Sequence, residues 1–278
     1  MLKQKRKICF IITSNIHYAR SKLILHEIKK QKDLELQIII GGSALLQKYG
    51  DIQPLLKRDR FKYNYKISMA FEGGDSLAMA KTTGIGVTEF ATAFNNLKPD
   101  IVVVRGDRFE ILSAAVAAAY LNIPIAHIEG GDVTGNIDES VRHAVTKLSH
   151  IHFATNETSK NRIIRMGEDP NYVFNFGCPG LEYISKSKYN ISNKTIYNAG
   201  VGAMVDINKS YLIGMQHPVT SEINKNIENI EKTLQAVHEL AVPTIWFWPN
   251  IDAGTDEISK GIRKFREKYN PEHIYFIK

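Results

Sequence analysis

The sequence lacks several features that would place the chain in particular classes of protein. Its 278 residues contain two cysteines, Cys9 and Cys178, which are far apart and form no C-x-x-C pair, so a disulfide framework and a zinc knuckle are excluded. No run of about 18 apolar residues occurs, so we predict no transmembrane helix and no membrane partner. The N-terminal segment MLKQKRKICFIITSN has no A-x-A cleavage site, so we expect a cytoplasmic protein.

Acidic residues are in the minority. Lys and Arg total 36 whereas Asp and Glu total 29, which gives a formal net charge of +7. Four of the basic residues, Lys3, Lys5, Arg6 and Lys7, lie together in what we interpret as a solvated N-terminal tail. No basic helix interleaved with aromatic residues occurs elsewhere, so we expect no nucleic-acid partner. A small anionic ligand remains compatible with the charge.

The length and the alternation of patterns predict an α/β protein. Hydrophobic residues make up 44% of the chain, and the length favours two domains. We predict strands at 7–13, 34–40, 101–104, 123–128 and 151–155, helices at 21–30, 77–97, 110–121 and 137–149, and a closing segment at 173–180. Because the strand segments are apolar on both faces, we predict a parallel sheet covered by helices on both sides.

The pattern is interrupted and then restarts. Residues 185–210 are polar and lack periodicity, so we predict a linker between an N-terminal domain at 1–184 and a second domain at 211–278. In the second domain we predict strands at 211–216, 243–249 and 273–278 and helices at 221–240 and 256–268. Roughly seventy residues are fewer than a doubly wound domain needs, so we expect this domain to be incomplete.

Polar residues directly follow four of the predicted strands. They are Arg105, Gly106, Asp107 and Arg108 after 101–104, Glu129, Gly130, Gly131 and Asp132 after 123–128, His217 after 211–216, and Asn250 and Asp252 after 243–249. Ligands of open parallel sheets bind beyond the carboxyl ends of the strands, so we expect these residues to converge on one rim. Asp138 and Glu139 follow closely, which concentrates acids in an otherwise basic chain.

Structural roles compete with catalytic ones for Asp138 and Glu139. Both suit the first turn of a helix capped by Asn136, where negative charge is favourable. Asp138 would then face Arg142 one helical turn further on. Neither acid is assigned to catalysis by its position alone.

The acids at the strand ends differ in how easily a structural role explains them. Asp107 beside Arg108 suits a structural ion pair. Glu129 ends a fully buried strand, so its desolvation has to be offset by a charged partner. Glu129 is therefore the stronger candidate for a functional site.

Two common types of site are not supported. Gly41 and Gly42 follow a strand, but no G-x-G-x-x-G and no Walker lysine accompanies them, which argues against dinucleotide and P-loop sites. The spacing of His143, His150 and His152 does not suit a metal site, because the first two lie two helical turns apart and the third falls on the next strand. We predict no metal site.

Six longer segments resemble a known family. They are VRGDRFE, AHIEGGDVTGNIDESVRHAVTKLSHIHFAT, IRMGEDP, FGCPG, YLIGMQHPVT and FWPNIDAG. From about residue 7 to its last residue, the chain is similar to the hydrolysing UDP-N-acetylglucosamine 2-epimerases, which make N-acetylmannosamine and UDP for sialic-acid-type sugars. The resemblance implies two Rossmann-like domains facing a cleft, as in GT-B glycosyltransferases, with the second domain incomplete in this chain.

The resemblance also implies a mechanism and a set of site residues. The expected catalytic residues are Asp107, Glu129, Asp138 and His217, and the expected UDP-sugar contacts are Arg20, Arg108, Gly130, His217, Asn250 and Asp252. The reaction removes the C2 proton, expels UDP to leave a 2-acetamidoglucal and adds water, with no cofactor or metal. Either Asp107 or Glu129 is the expected C2 base, and Asp138 is expected to assist hydration. Acids should face the sugar while Arg108 and His217 face the diphosphate, because like charges repel.

Two departures from the family pattern affect nucleotide binding. Asn15 stands where a T-x-R-x-x-Y stretch of the family carries an arginine for the diphosphate, and Arg20, one turn further on, is the candidate replacement. The chain also ends before the Ser-rich G-N-S-S loop and the glutamate that hold the uridine and phosphates in the family. We therefore expect a truncated chain with weak or no activity.

Several other functions stay open at this point. A GT-B glycosyltransferase would share the architecture but pass the sugar to an acceptor, and a non-hydrolysing epimerase would keep UDP attached. A non-catalytic remnant would bind a UDP-sugar without turnover. The substrate of a hydrolysing enzyme could instead be a UDP-2,4-diacetamido sugar. The resemblance and the Ala-rich helices also imply a homo-oligomer, either a dimer or a tetramer.

Overall fold

The structure is a computed structural model that describes residues 5–71, 73–187 and 191–277. The chain divides into two compact units. Unit 1 comprises Met1–Phe71 and Ala80–Ser187, and unit 2 comprises Glu72–Met79 and Lys188–Lys278. Each unit has its own sheet and its own hydrophobic clusters.

Within the described part of unit 1, seven strands form one parallel sheet. They are β1 (Arg6–Ile12), β2 (Leu34–Gly41), β3 (Tyr65–Ile67), β4 (Ile101–Arg105), β5 (Ile125–Ile128), β6 (Ile151–Ala154) and β7 (Val173–Asn175). Their order is β3-β2-β1-β4-β5-β6-β7, and each neighbouring pair is parallel. The chain order reverses between β1 and β4, which is the switch point where open α/β sheets bind ligands. The predicted Rossmann-like α/β sheet is confirmed.

Helices cover both faces of this sheet. They are α1 (Asn15–Lys30), α2 (Gln53–Arg58), α3 (Ser76–Leu97), α4 (Phe109–Tyr120), α5 (Ile137–Leu148), α6 (Glu157–Arg165) and α7 (Pro179–Lys186). Successive residues of β1 point to opposite faces, so Cys9 and Ile11 join a buried cluster with α3, α4 and α5, whereas Phe10 and Ile12 join a second cluster with α1. Both faces are apolar because both are covered.

Helix α1 begins six residues earlier than the sequence predicts. Ser14 has extended backbone angles and its hydroxyl oxygen accepts a hydrogen bond from the His17 backbone N–H at 3.3 Å, which starts the helix at Asn15. The helical pattern alone pointed to residue 21, because the first turns carry polar residues. The earlier start brings Asn15 and His17 to the end of β1.

Unit 2 is built on a smaller sheet. Its described strands are β8 (Gly200–Gly202), β9 (Leu212–Met215), β10 (Thr244–Phe247) and β11 (Ile274–Ile277), and its helices are α8 (Asn193–Tyr197), α9 (Asn226–Leu240) and α10 (Thr255–Tyr269). The strand order is β8-β11-β10-β9, with β8 antiparallel to β11 and the other pairs parallel. Helices α9 and α10 pack Ile230, Ile258 and Phe265 around the buried ring of Trp246.

The segment 185–210, predicted as a linker, contains regular secondary structure in the part that the structure describes. It contains the end of α7, all of α8 and β8, and Val205 is buried in a cluster with residues of β10 and β11. Strand β8 is not predicted from the sequence, because Gly200 and Gly202 give it no alternating apolar pattern. Gly200 is needed for packing, since a Cβ atom there would lie only 2.0 Å from the Phe276 carbonyl oxygen. Residues 188–190 of the segment lie outside the described residues.

The predicted basic tail is partly structured. Arg6 and Lys7 begin β1, and the backbone N–H of Lys7 donates to Asp100 Oδ2 at 2.6 Å. Lys3 and the final Lys278 lie outside the described residues. Among the residues that the structure describes, none of the helices is both long enough and apolar enough to cross a membrane.

Candidate functional site

Three strands of unit 1 end beside one another around the switch point. Thr13 follows β1, Gly106 follows β4 and Glu129 follows β5, and the three strands are parallel neighbours. Gly106 and Glu129 both adopt left-handed backbone angles, with φ of +76° and +68°. This conformation is uncommon for a residue other than glycine, and such outliers concentrate at functional sites.

Arg105, the last residue of β4, holds Glu129 by a two-point ion pair. Its Nε lies 2.8 Å from Glu129 Oε2, and its Nη2 lies 2.5 Å from Oε1. Its Nη1 donates to the Arg20 carbonyl oxygen at 2.8 Å and to the Ser21 hydroxyl oxygen at 3.4 Å. Arg105 is only 1% exposed. The charged partner that Glu129 needs is therefore supplied by the neighbouring strand.

Asp107 pairs with Arg142 of α5. Arg142 Nη2 contacts Asp107 Oδ2 directly, and its Nη1 donates to the Asp132 carbonyl oxygen at 2.7 Å. The Arg142 side chain is buried, whereas that of Asp107 is 28% exposed. The structure thus gives Asp107 a partner from α5, whereas the sequence suggests the adjacent Arg108.

Arg108 reaches the start of α4. Its Nε lies 3.2 Å from Glu110 Oε2, and the Glu110 side chain is buried in the first turn of the helix, where the helix dipole favours an acid. Glu110 also packs closely against Gly42, at which a Cβ atom would lie 3.0 Å from Glu110 Oε1. Arg108 is therefore anchored at the same rim as Asp107.

Acids and arginines alternate around this rim. The ion pairs are Arg105 with Glu129, Arg142 with Asp107, and Arg108 with Glu110. Charge-assisted pairs of this kind fix side-chain positions. Each of the two candidate acids, Asp107 and Glu129, therefore has an arginine as its charged partner.

Glu139 has a structural role at the start of α5. Its Oε2 accepts hydrogen bonds from the backbone N–H groups of Thr134 and Gly135, both at 2.7 Å, and these bonds lower the pKa of Glu139. Asn136 occupies the N-cap position without a side-chain cap bond, so the predicted capping by Asn136 needs correction. Its Nδ2 donates to Asp138 Oδ2 at 3.3 Å. Of the two first-turn acids, Asp138 is the one left as a catalytic candidate.

His127 ties the end of β5 to the loop after β4. Its Nε2 lies 2.9 Å from the Gly106 carbonyl oxygen and its Nδ1 lies 3.1 Å from Thr146 Oγ1. Burial lowers the pKa of His127 to about 4, so the ring is neutral. Its one N–H is at Nε2, because that nitrogen donates the hydrogen bond to the Gly106 carbonyl oxygen. Gly130 packs against the same ring, and a Cβ atom there would lie 2.9 Å from Thr146 Oγ1 and 3.1 Å from His127 Nδ1. Packing alone therefore requires glycine at 130.

A second neutral histidine lies at the end of β1. His17 Nδ1 is 3.1 Å from Thr13 Oγ1, and the ring is buried. Burial, reinforced by the positive charges of Arg108, Arg105 and Arg20, lowers the pKa of His17 to about 3. His17 therefore serves as an uncharged hydrogen-bonding group beside these arginines.

Asn15 and Arg20 have different surroundings in the structure. Asn15 turns towards the loop after β2, where its Nδ2 donates to the Tyr49 carbonyl oxygen at 3.3 Å. Arg20 Nη1 lies 3.9 Å from Glu129 Oε2, and the Arg20 side chain is 51% exposed. Arg20 supplies positive charge at this rim. The role of Arg20 in binding the diphosphate stays a prediction.

Unit 2 brings together two of the predicted residues. His217 follows β9 and Asn250 follows β10, which is the parallel neighbour of β9. The Asn250 backbone N–H donates to His217 Nδ1 at 3.2 Å. Because Nδ1 is the acceptor, the neutral ring of His217 carries its proton on Nε2. His217 is thus oriented as a hydrogen-bond donor.

The loop after β10 is built around Asn250. Its Oδ1 accepts from the Asp252 backbone N–H at 3.1 Å, its Nδ2 contacts Asp252 Oδ2, and its carbonyl oxygen accepts from Thr255 Oγ1 at 2.5 Å. Gly254 has a φ of +94° and packs so tightly that a Cβ atom would lie 2.3 Å from Asn226 Nδ2. Asp252 has a loop-forming role here, and its predicted contact with substrate stays a prediction.

His143, His150 and His152 each have a different hydrogen-bond or ion-pair partner. His143 Nε2 lies 3.8 Å from Glu139, His152 Nε2 lies 3.2 Å from Glu168, and His150 Nδ1 accepts from the backbone of β5 at 3.2 Å. In the described parts of the chain, no three His, Cys, Asp or Glu side chains are grouped as ligands for a metal ion. Their contacts are those of structural histidines.

Three side chains have roles at this rim that the sequence does not predict: Arg105, which is expected at the rim but without a role, and Arg142 and His127, which are not expected there. Each is a polar residue in an otherwise buried strand or helix face, and burial of a charge without a local partner is the signal that points to them. Their actual partners come from other elements, 24, 35 and 21 positions away in sequence. Periodicity does not contain that information.

Comparison with known proteins matches the chain to one family. A family model described as UDP-N-acetylglucosamine 2-epimerase matches residues 26–278. Among curated proteins, the chain is 34% identical to a hydrolysing UDP-N,N'-diacetylbacillosamine 2-epimerase of Legionella pneumophila, over 94% of this chain and 68% of that protein. It is 32% identical to a hydrolysing GDP/UDP-N,N'-diacetylbacillosamine 2-epimerase of Campylobacter jejuni, over 95% of this chain and 67% of that protein.

A solved structure shows the same fold. The UDP-GlcNAc 2-epimerase of Neisseria meningitidis, determined bound to UDP-GlcNAc, superposes with a TM-score of 0.77 at 18% identity and covers 98% of this chain and 72% of its own. At that identity the likeness supports the fold, whereas the family model and the two curated relatives support the family. The chain belongs to the UDP-N-acetylglucosamine 2-epimerase family.

Proposed function

We propose that the chain catalyses hydrolysing 2-epimerisation of a UDP-2-acetamido sugar. The observation that carries the proposal is the pair of carboxylates, Asp107 and Glu129, that arginines hold at the switch point of unit 1. A base must take the C2 proton and an anion must offset positive charge at C1 as UDP leaves, and two fixed carboxylates suit these tasks.

The reaction balances without any further reactant except water. The C2–H bond breaks and its proton goes to a carboxylate, while the C1–O bond breaks and its electron pair leaves with UDP. The product of this elimination is 2-acetamidoglucal. Water then adds its hydroxyl group to C1, and a proton adds to C2 with the opposite configuration. Free sugar and UDP are released.

Five residues of unit 1 take roles in this scheme. Asp107 and Glu129 are the candidates for the C2 base and for the anion that stabilises C1. Asp138, in the first turn of α5, assists the hydration step. Arg20 and Arg108 supply positive charge for the diphosphate, because guanidinium groups match phosphate oxygens in charge and geometry.

His217 of unit 2 is assigned to the leaving group. Asn250 holds its Nδ1, which directs an N–H at Nε2 outward from the ring. A donor of this kind stabilises negative charge as it develops on the phosphate. Asn250 also binds substrate from the loop after β10. Gly130 binds substrate through its backbone in the loop after β5.

Two substrates are compatible with this chemistry. UDP-N-acetylglucosamine would give N-acetylmannosamine, and the family description supports it. UDP-N,N'-diacetylbacillosamine is the second candidate, because the two relatives from Legionella pneumophila and Campylobacter jejuni carry that sugar in their names. The two sugars differ at C4, where an acetamido group replaces a hydroxyl group, and at C6, where the hydroxyl group is missing, and their chemistry at C1 and C2 is the same.

The test is a proton NMR time course of the purified chain with each UDP-sugar in parallel. Free UDP together with the anomeric signals of a manno-configured sugar establishes the proposed reaction, and the faster substrate identifies the sugar. In D₂O the product should carry deuterium at C2, because the proton is removed and replaced from solvent.

Other outcomes assign other functions. A UDP-linked manno sugar would identify a non-hydrolysing epimerase. Transfer of the sugar to an added acceptor would identify a glycosyltransferase. Binding of UDP-sugar in calorimetry without any turnover of either substrate would overturn the proposed reaction for this chain.

A further inference from the structure

We infer that Arg105 is a positioning residue, which holds Glu129 as a fixed anion so that Glu129 stabilises charge at C1 and leaves Asp107 to accept the C2 proton. The assignment of chemical roles rests on the proposed function. The positioning of Glu129 by Arg105 rests on geometry within unit 1.

The two-point contact occupies both oxygens of Glu129. Arg105 Nε faces Oε2 at 2.8 Å and Arg105 Nη2 faces Oε1 at 2.5 Å. A guanidinium in this fork-to-fork arrangement covers the lone pairs of a carboxylate that most readily take up a proton. Cys178 Sγ adds a longer contact to Oε1 at 3.8 Å. Glu129 is therefore well placed as a fixed negative charge and poorly placed as a base.

Arg105 is itself held rigidly. Its remaining nitrogen, Nη1, is bonded to the backbone of Arg20 and the hydroxyl of Ser21, so α1 fixes the side chain from the other side. Arg105 is also the parallel neighbour of Ile128, the residue before Glu129. Since both ends of the ion pair sit at the ends of adjacent buried strands, small movements of Glu129 are restrained.

Asp107 differs in the property that a base needs. Its contact with Arg142 is made by Oδ2, and its side chain is 28% exposed, compared with 15% for Glu129. It also lies in the short loop between β4 and α4, outside the strand. An oxygen that is open to the site is the one able to receive a proton from substrate.

The main experiment is a double-mutant cycle with Arg105→Met and Glu129→Gln. Methionine fills the buried space without a charge. We expect R105M to lower kcat by about 100-fold, the scale of losing one preorganised electrostatic contact, and to leave KM within about threefold because Arg105 acts through Glu129. In the E129Q background, adding R105M should change kcat by less than about threefold, because the two residues act as one unit.

Two further variants separate positioning from general stability. Lys22→Met breaks another ion pair of unit 1, in which Lys22 Nζ lies 2.6 Å from Asp59 Oδ2 and Lys22 is buried. It should lower Tm comparably to R105M but leave kcat within about threefold. Arg105→Lys keeps the charge without the fork, so we expect a kcat between those of wild type and R105M.

The inference is overturned if R105M keeps more than a third of wild-type kcat, or if the effects of R105M and E129Q multiply. A crystal structure of R105M gives a readout that needs no turnover. There we expect the Glu129 carboxylate to leave its position while Asp107 and Arg142 stay in place. If the wild-type chain turns over neither UDP-sugar, the proposed function fails. The crystal structure of R105M then decides whether Arg105 positions Glu129. A Glu129 carboxylate that has not moved would refute the positioning role.

Discussion

His127 Nε2 donates a 2.9 Å hydrogen bond to the carbonyl oxygen of Gly106, the residue directly before Asp107. The bond joins the interior of β5 to the loop that carries a candidate catalytic acid. Because the ring is buried and neutral, it can make this contact only in one tautomer. The position of Asp107 therefore depends on a histidine that is distant in sequence and hidden from solvent.

The first prediction concerns acid stability. Burial lowers the pKa of His127 from 6.5 to about 4, so between these values the unfolded chain binds a proton that the folded chain does not. The resulting stability is complete above pH 6.5 and is lost as the pH falls towards 4, by about 2 kcal/mol between pH 7.5 and 5. Urea unfolding at both pH values should show a smaller loss in His127→Gln, whose amide keeps a donor for Gly106. Equal losses in both proteins would contradict this linkage.

The second prediction concerns Asp107. Asp107→Asn keeps the size of the side chain but removes its basicity, so we expect kcat to fall by about 10²-fold to 10⁴-fold. The matched control is Glu139→Gln, which keeps an oxygen for the Thr134 and Gly135 amides and should retain kcat within about fivefold. The NMR time course measures both variants, and circular dichroism confirms that they fold. An Asp107→Asn enzyme with near wild-type turnover would remove Asp107 from the mechanism.

The third prediction concerns His217. In His217→Asn, the amide oxygen can replace Nδ1 as the acceptor for Asn250, whereas the outward N–H of Nε2 is lost. We expect kcat to fall by about 100-fold while the loop is retained. His150→Asn is the control, because His150 Nδ1 also accepts from a backbone N–H and should tolerate the change. Steady-state UDP release distinguishes the two, and equal effects would argue against a role in the reaction.

The fourth prediction concerns the packing of Gly130. A methyl group there would lie 2.9 Å from Thr146 Oγ1 and 3.1 Å from His127 Nδ1, so Gly130→Ala should destabilise the protein by about 1–3 kcal/mol. Gly84, on α3, has no atom within 4 Å of the same position, so Gly84→Ala should stabilise the helix by about 0.5–1 kcal/mol. Thermal unfolding should therefore shift in opposite directions. A shift of the same sign in both would show that the space around Gly130 relaxes freely.

Local patterns were enough to predict most of the sheet. Strands β1, β2, β4 and β5 are rich in apolar residues, and α3 begins at Ser76 where Asp75 Oδ1 accepts from the Ala78 N–H at 2.7 Å. Such signals lie within a few neighbouring residues, so they can be recognised in a sequence. Short elements such as β3 and β8 have three residues each and carry too little pattern to be recognised.

The α/β alternation and the placement of Asp107, Glu129 and His217 just after the ends of strands follow from the sequence, because apolar patterns and periodicity are properties of consecutive residues. Only the tertiary structure decided that Arg105 holds Glu129 and that Arg142 holds Asp107. These pairs join residues 24 and 35 positions apart. Their selection depends on which side chains the packed sheet brings within hydrogen-bonding distance once water is excluded, and that is a property of the assembled fold.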